Sequence, residues 1–99
     1  MLEVVKIERK GYGYELDNPV KAMSTFGSYD YLNSLKAKDG FVVRWTRVGS
    51  LFSEKLNRII DQYHVFVLRT KEPIEINRYS IFIDMYHPIT DTKKPEDFE

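Results

Sequence analysis

Three stretches after residue 40 alternate between apolar and polar residues with a period of two. The stretches are residues 41–48, 59–69 and 78–87, and turn-forming residues separate them. Successive side chains of a β-strand point to opposite faces, so this period is typical of strands that bury one face. The apolar set is odd-numbered: Phe41, Val43, Trp45, Tyr63, Val65, Val67, Ile81, Ile83 and Met85. The pattern predicts an antiparallel meander whose odd-numbered face forms the core.

The even-numbered face of the same strands mixes aromatic side chains with charged ones. Phe66, Phe82 and Tyr86 contribute the rings, while Arg44 and Asp84 add charge. A face of this composition is often covered by a loop or by another subunit. We therefore expect a protein partner, or a second copy of the chain in a homodimer, to bind through Phe66, Phe82 and Tyr86.

The first half of the chain predicts one short helix. Residues 2–8 alternate weakly and predict a strand, and residues 20–25 predict a short extended segment. Ser28 is a suitable N-cap, because its hydroxyl can accept a hydrogen bond from a free backbone N–H. The helix is predicted over residues 28–37, and Asp39-Gly40 is predicted to end it.

Turn residues and a charged tail mark the remaining connections. Gly49-Ser50 is predicted to open a connection after the first long strand, and residues 51–58 to hold a turn of helix. Residues 70–77 contain Pro73 and are predicted to carry the turn before the last strand. The polar tail, about residues 90–99, is predicted to lie loosely over the surface.

The size and composition of the chain fit one small domain. Ninety-nine residues can bury one core but leave little room for a second. A hydrophobic content of 42% is too high for a disordered chain. We expect a single α+β domain over residues 1–99: a mainly antiparallel sheet of four to five strands with one short helix packed on one face.

The charge and cysteine counts exclude several kinds of site. The 15 basic residues balance the 15 acidic ones, so no net field attracts nucleic acid, and we expect no nucleic-acid partner. The chain contains no cysteine, which excludes disulfides, a thiol nucleophile and Cys-ligated metal sites. No apolar run approaches the roughly 18–20 residues of a membrane span. We expect a soluble protein, cytoplasmic by default, or exported if a signal peptide was removed.

The pattern Ile-Asp-Xaa-Tyr-His occurs at residues 60–64 and 83–87 and contains both histidines. Within one strand, the Asp and the His of each copy would point to opposite faces. One permitted register would place His64 opposite Asp84 and Asp61 opposite His87. Each pair offers two ligands, whereas a zinc site usually has three or four from the protein. We therefore predict cross-strand polar pairs, with no metal site and no cofactor.

A complete catalytic constellation is not recognisable in the sequence. The chain has no Gly-Xaa-Ser-Xaa-Gly elbow and no phosphate-binding loop. These observations favour a non-catalytic binding or protein-interaction module. The alternative is a small hydrolase or lyase that uses Arg47, Asp61, Tyr63 and Asp84. This alternative requires the four side chains to converge in one pocket.

Five motifs in order resemble a family of small uncharacterised proteins that is common in Bacteroidetes. The motifs lie within residues 17–98 and read DNPVKAMS, YDYLNSL, TRVGS, IIDQY and IFIDMYHP. The family has no established activity, so the resemblance implies a bacterial domain of unknown function. Two features depart from its pattern, because the tail here lacks a glycine and the position of His64 is usually not histidine.

The resemblance also implies which polar residues would form a shared site. The matching residues are Asn18, Lys21, Asn33, Arg47, Ser50, Asp61, Tyr63, Asp84 and Tyr86. Several of them are expected to be structural, with Arg47 and Asp61 as an ion pair between neighbouring strands. The predicted binding residues are Lys21, Arg47, Asp61, Tyr63, Asp84 and Tyr86.

Overall fold

The computed structural model describes residues 2–38 and 41–99 and consists of one sheet with one helix packed on it. Within these residues the elements are β1 (Val4–Lys6), β2 (Val20–Lys21), α1 (Ser24–Ser34), β3 (Val43–Ser53), β4 (Arg58–Leu68) and β5 (Ile76–Asp84). The predicted α+β class, with four to five strands and one short helix, is confirmed. In the described part of the chain, no helix is long and apolar enough to cross a membrane.

The sheet has the strand order β1-β5-β4-β3, and β2 also pairs with β5. The pairs β3–β4 and β4–β5 are antiparallel, which confirms the predicted meander in the C-terminal half. β1 and β2 pair with β5 in parallel, opposite its beginning and its end respectively. Both are shorter than the sequence predicts, because α1 begins at Ser24 and each follows the edge of β5 only briefly.

The register of β4 and β5 is not the one that would place His64 opposite Asp84. Asp61 lies opposite Ile83, and His64 lies opposite Ser80. Odd positions face odd positions, as the apolar pattern requires, but the pairing is displaced by four residues from one that joins His64 to Asp84. Any even displacement keeps the same face buried, so the apolar pattern determines the face and leaves the register open.

The core lies between the odd-numbered face of the sheet and α1. Tyr63, Val65 and Ile81 are buried on the sheet side, and Tyr31 and Leu32 pack against them from the helix. Each such side chain contributes about 1.5–3 kcal/mol through the apolar area that it removes from water. Their positions confirm that the odd-numbered face is the core face and that the helix covers it.

The helix begins four residues earlier than predicted. Ser28 is not the N-cap, because it is buried inside the helix and its hydroxyl donates to the Ser24 carbonyl at 3.1 Å. Gly27 does not break the helix, and a Cβ at this position would lie 2.6 Å from Thr90 Oγ1. The same Oγ1 accepts a hydrogen bond at 2.9 Å from the N–H of Met23, the N-cap residue, so Thr90 fixes the chain where the helix begins. The helix ends at Ser34, and the predicted stop at Asp39-Gly40 lies outside the described residues.

β3 continues through Gly49-Ser50, where a connection was predicted. A β-bulge between Arg47 and Gly49 leaves Val48 unpaired and lets the strand run on to Ser53. The bulge changes which residues of β3 face the core, so Ser50 comes opposite Asp61 on the same side as Arg47. Residues 54–57 then form a turn instead of the predicted turn of helix.

The tail is packed against the domain, so the prediction that it lies loosely is wrong. Pro95 and Phe98 are buried, and the Phe98 ring meets the Tyr79 ring edge-on with 5.0 Å between centroids. The backbones of Lys36 and Glu99 exchange two hydrogen bonds, of 2.9 and 2.8 Å. The polar composition of the tail does not indicate these buried residues. Burying one ring and one proline is enough to hold a short segment against the domain.

Candidate functional site

The predicted binding residues fall on both faces of the sheet. Arg47, Asp61 and Tyr63 lie towards the core face, whereas Asp84 lies on the other face, since its neighbour Ile83 pairs with Asp61. Lys21 pairs with Asp84 between β2 and β5. The four residues of the hydrolase or lyase alternative therefore do not converge in one pocket.

Arg47 and Asp61 form the ion pair that the sequence suggested between neighbouring strands. Arg47 Nη2 lies 3.1 Å from Asp61 Oδ1, and the Ser50 hydroxyl donates to the same oxygen at 2.9 Å. This bonding to Asp61 raises the pKa of Arg47. Because the Arg47 side chain is half exposed, the pair is worth about 1 kcal/mol at most. It joins β3 to β4 next to the bulge.

Tyr63 lies beside this ion pair but is held in its neutral form. Burial raises the pKa of Tyr63 to about 12, and the charge of Asp61 adds to the effect. Its ring packs edge-on against Trp45, with 5.7 Å between centroids. A phenol in this state does not act as a base near neutral pH, and the ring is part of the core.

Asp84 is the centre of a second polar cluster, at the end of β5. Its Oδ2 lies 2.8 Å from His87 Nε2 and 3.2 Å from Arg58 Nη1, and its Oδ1 accepts the Tyr86 N–H at 3.1 Å. The prediction that Asp84 and His87 point to opposite faces is wrong. The strand ends at Asp84, whose carboxylate accepts the Tyr86 N–H. This hydrogen bond stabilises a turn that brings the His87 side chain back to Asp84.

The aromatic trio predicted as a partner surface is divided. Phe66 and Phe82 are half-buried on the even-numbered face of β4 and β5. Tyr86 lies beyond β5, is exposed, and lines a shallow cavity with Arg58 and Ile59. Phe82 lines a different cavity, so the three rings do not form one surface.

A row of cations crosses the even-numbered face of the sheet. Register places Lys6 of β1 beside Arg78 of β5, Arg78 beside Phe66 of β4, and Phe66 beside Arg44 of β3. In the next row, His64 lies between Ser80 and Thr46. We call Lys6, Arg44, His64, Phe66 and Arg78 the cationic face. The chain is neutral overall, but this part of its surface is not.

The pKa of His64 responds to the charges of the cationic face. Burial lowers its pKa, and the charges of Arg78 and Lys6 lower it further. Both cations favour the uncharged imidazole, because a second positive charge beside them is unfavourable. An anion bound on this face would act in the opposite direction.

Replacing Arg78 with glutamine is expected to raise the pKa of His64, because one of the two charges that lower it is removed. Nuclear magnetic resonance (NMR) titration of the imidazole protons measures this value directly. Lys36→Gln removes an exposed cation beyond the end of α1 and serves as the control. An unchanged His64 pKa in Arg78→Gln would contradict the described field.

The residues that complete these clusters carry weak signals in the sequence. Arg58 belongs to no motif, and the cations of the face are distant in sequence, so only the strand register brings them together.

Within residues 2–38 and 41–99, no group of three or more His, Asp or Glu side chains could hold a metal ion. No protein-family model, curated protein or solved structure matches the chain.

Proposed function

We propose that this chain is a non-catalytic binding module that binds an acidic segment of a partner protein on its cationic face. The observation that carries the proposal is the row formed by Lys6, Arg78, Phe66 and Arg44 across four strands. Arginine binds carboxylates through a planar fork of N–H donors, and a neighbouring ring offers apolar contact to the same ligand.

The charges around the row support an anionic partner. Apart from Asp84, which binds Arg58 and His87, the even-numbered positions of β4 and β5 carry no acidic side chain. Lys6 forms an ion pair with Glu8 at 3.3 Å, but both side chains are exposed, so the pair is weak and easily exchanged. Few acidic side chains of the protein itself compete for these cations, so carboxylates of a partner can bind them in place of water.

The burial of the rings favours a protein segment over nucleic acid. Phe66 and Phe82 are half-buried, so less of each ring is open to the base stacking by which proteins bind single-stranded nucleic acid.

A homodimer through the same face has less support. Two copies meeting there would place the arginines of one near those of the other, and like charges across an interface oppose association. The hydrolase or lyase alternative is also less supported. Its two carboxylates are already engaged, Asp61 by Arg47 and Ser50, and Asp84 by Arg58 and His87.

The resemblance to the small Bacteroidetes family stays a prediction. It names no ligand, and the residues of the cationic face are not among its motifs.

The proposal is tested by titrating the protein with poly-L-glutamate in a calorimeter, alongside poly-L-lysine and a thymidine oligonucleotide. We expect binding of poly-L-glutamate alone, with an affinity that falls as salt is added. Arg44→Gln/Arg78→Gln should weaken it about five- to twentyfold, from the loss of two cation–carboxylate contacts. Lys36→Gln should leave it unchanged.

Three results would contradict the proposal. These are no binding of poly-L-glutamate, binding that the double substitution does not weaken, and tighter binding of the oligonucleotide than of poly-L-glutamate.

A further inference from the structure

A cavity of about 480 Å³ lies at the end of the sheet beside the Asp84 cluster. Its walls come from the loop that leads into β2, the turn before β4 and the end of β5. The volume falls within the range of roughly 300–1,000 Å³ that small-molecule sites occupy. None of the five residues of the cationic face lines it.

The charged side chains around this cavity leave an excess of cations. Lys21, Lys55 and Arg58 are positive, whereas Asp17 and Asp84 are negative. Asp17 Oδ1 accepts a hydrogen bond from the buried Ser53 hydroxyl at 2.6 Å. Within residues 2–38 and 41–99, neither lysine forms an ion pair, so two amines remain for a ligand.

The buried Asp84 carboxylate holds two side chains of the cavity, Arg58 and His87, in place. Arg58 gives Nη1 to this carboxylate, yet its side chain is 43% exposed, which leaves its other N–H groups free to donate outward. His87 faces Asp84 through Nε2, and a quarter of its side chain is exposed. Asp84 therefore acts as a positioning residue for Arg58 and His87, while its own charge is largely balanced by Arg58.

We infer that this cavity binds the phosphate group of a small molecule. A phosphate presents several oxygens in a tetrahedral arrangement, and cations from two separate segments, β2 and the turn that leads into β4, can reach different oxygens. Lys21 and Lys55 supply mobile ammonium donors, and Arg58 supplies a fixed planar one. A single carboxylate has two oxygens in one plane and would leave part of this donor set unused.

The test uses inorganic phosphate as the probe and follows the backbone amides by two-dimensional NMR. We expect saturable shifts around Lys21, Lys55 and His87, with a dissociation constant of roughly 1 mM. Lys21→Gln/Lys55→Gln should raise this constant roughly tenfold, because two exposed cation contacts are lost. Lys21→Arg, which keeps the charge, should bind as the unchanged protein does, and Lys36→Gln is the control for overall charge.

Sodium acetate at the same concentrations separates a phosphate site from a general anion site. The inference is overturned if acetate binds as tightly as phosphate, if no saturable shift appears, or if the shifts concentrate on Lys6, Arg44 and Arg78. Thermal unfolding of each variant shows whether it folds, since both lysines are exposed and their substitution is not expected to change stability. The site is separate from the cationic face, so either proposal can fail alone.

Discussion

Replacing Asp84 with alanine is expected to lower the free energy of unfolding by about 2–4 kcal/mol. Asp84 is 2% exposed, and its carboxylate is hydrogen-bonded to Arg58, His87 and the Tyr86 N–H. Removing the carboxylate leaves these three donors without their acceptor at a position that is almost fully buried. Because the Arg58 side chain can still turn to water, the expected loss lies below that of a fully buried ion pair.

Urea denaturation at neutral pH measures this loss, provided that the slope against denaturant stays the same. Asp84→Asn keeps an acceptor for the Tyr86 N–H and removes only the charge, so we expect it to cost less than the alanine variant. Glu54→Ala removes an exposed acid from the turn before β4 and should change stability by no more than about 0.5 kcal/mol. Equal stability of Asp84→Ala and Glu54→Ala would show that the cluster does not hold the end of β5.

Replacing Phe98 with alanine should cost about 3–5 kcal/mol, which is the range for deleting a buried aromatic ring. Phe98 is 4% exposed, and its ring packs against Tyr79. Losing it also releases the contacts of its neighbour Asp97, which binds Arg9 at 2.9 Å.

Ile89→Ala provides the matched control, since Ile89 is also an apolar residue of the C-terminal segment but is 75% exposed. Its substitution should change stability by less than about 0.5 kcal/mol. The two variants are compared in the same denaturation experiment. If Phe98→Ala is as stable as Ile89→Ala, the tail is not part of the folded core.

The strands of the meander could be predicted because their side chains alternate strongly. Tyr63, Val65, Ile81 and Ile83 repeat every second residue, and they are buried as expected. The register could not be predicted the same way, because a shift by two or four residues leaves the same side chains inside. In the structure the pairing begins with Leu68 opposite Ile76, which the apolar pattern does not specify.

The boundaries that were mispredicted depend on contacts between distant residues. Gly27 suggests a helix break when it is considered alone, but it is a helical residue that makes room for the Thr90 hydroxyl. Gly49 suggests a turn, but it follows a bulge in a continuing strand. Phe98 stands in a charged tail, and nothing nearby in the sequence shows that Tyr79 receives it.

The candidate sites were predictable only in part, for a related reason. Lys21, Asp61 and Asp84 were selected from their motifs, and each forms specific polar contacts or lines a cavity. The cationic face was not, because Lys6 and Arg78 come together through a parallel pairing of a short strand. Such a pairing brings together residues 72 positions apart, and no local pattern in the chain indicates it.

The most direct test of the proposed binding module is the pKa of His64, measured by NMR with and without poly-L-glutamate. Burial lowers this pKa in the free protein, and the charges of Arg78 and Lys6 lower it further. Carboxylates bound beside them would offset their charge, so we predict that the pKa of His64 rises on binding. If neither the pKa nor the resonances of His64 change at saturating poly-L-glutamate, the acidic segment binds elsewhere, and the role assigned to the cationic face is contradicted.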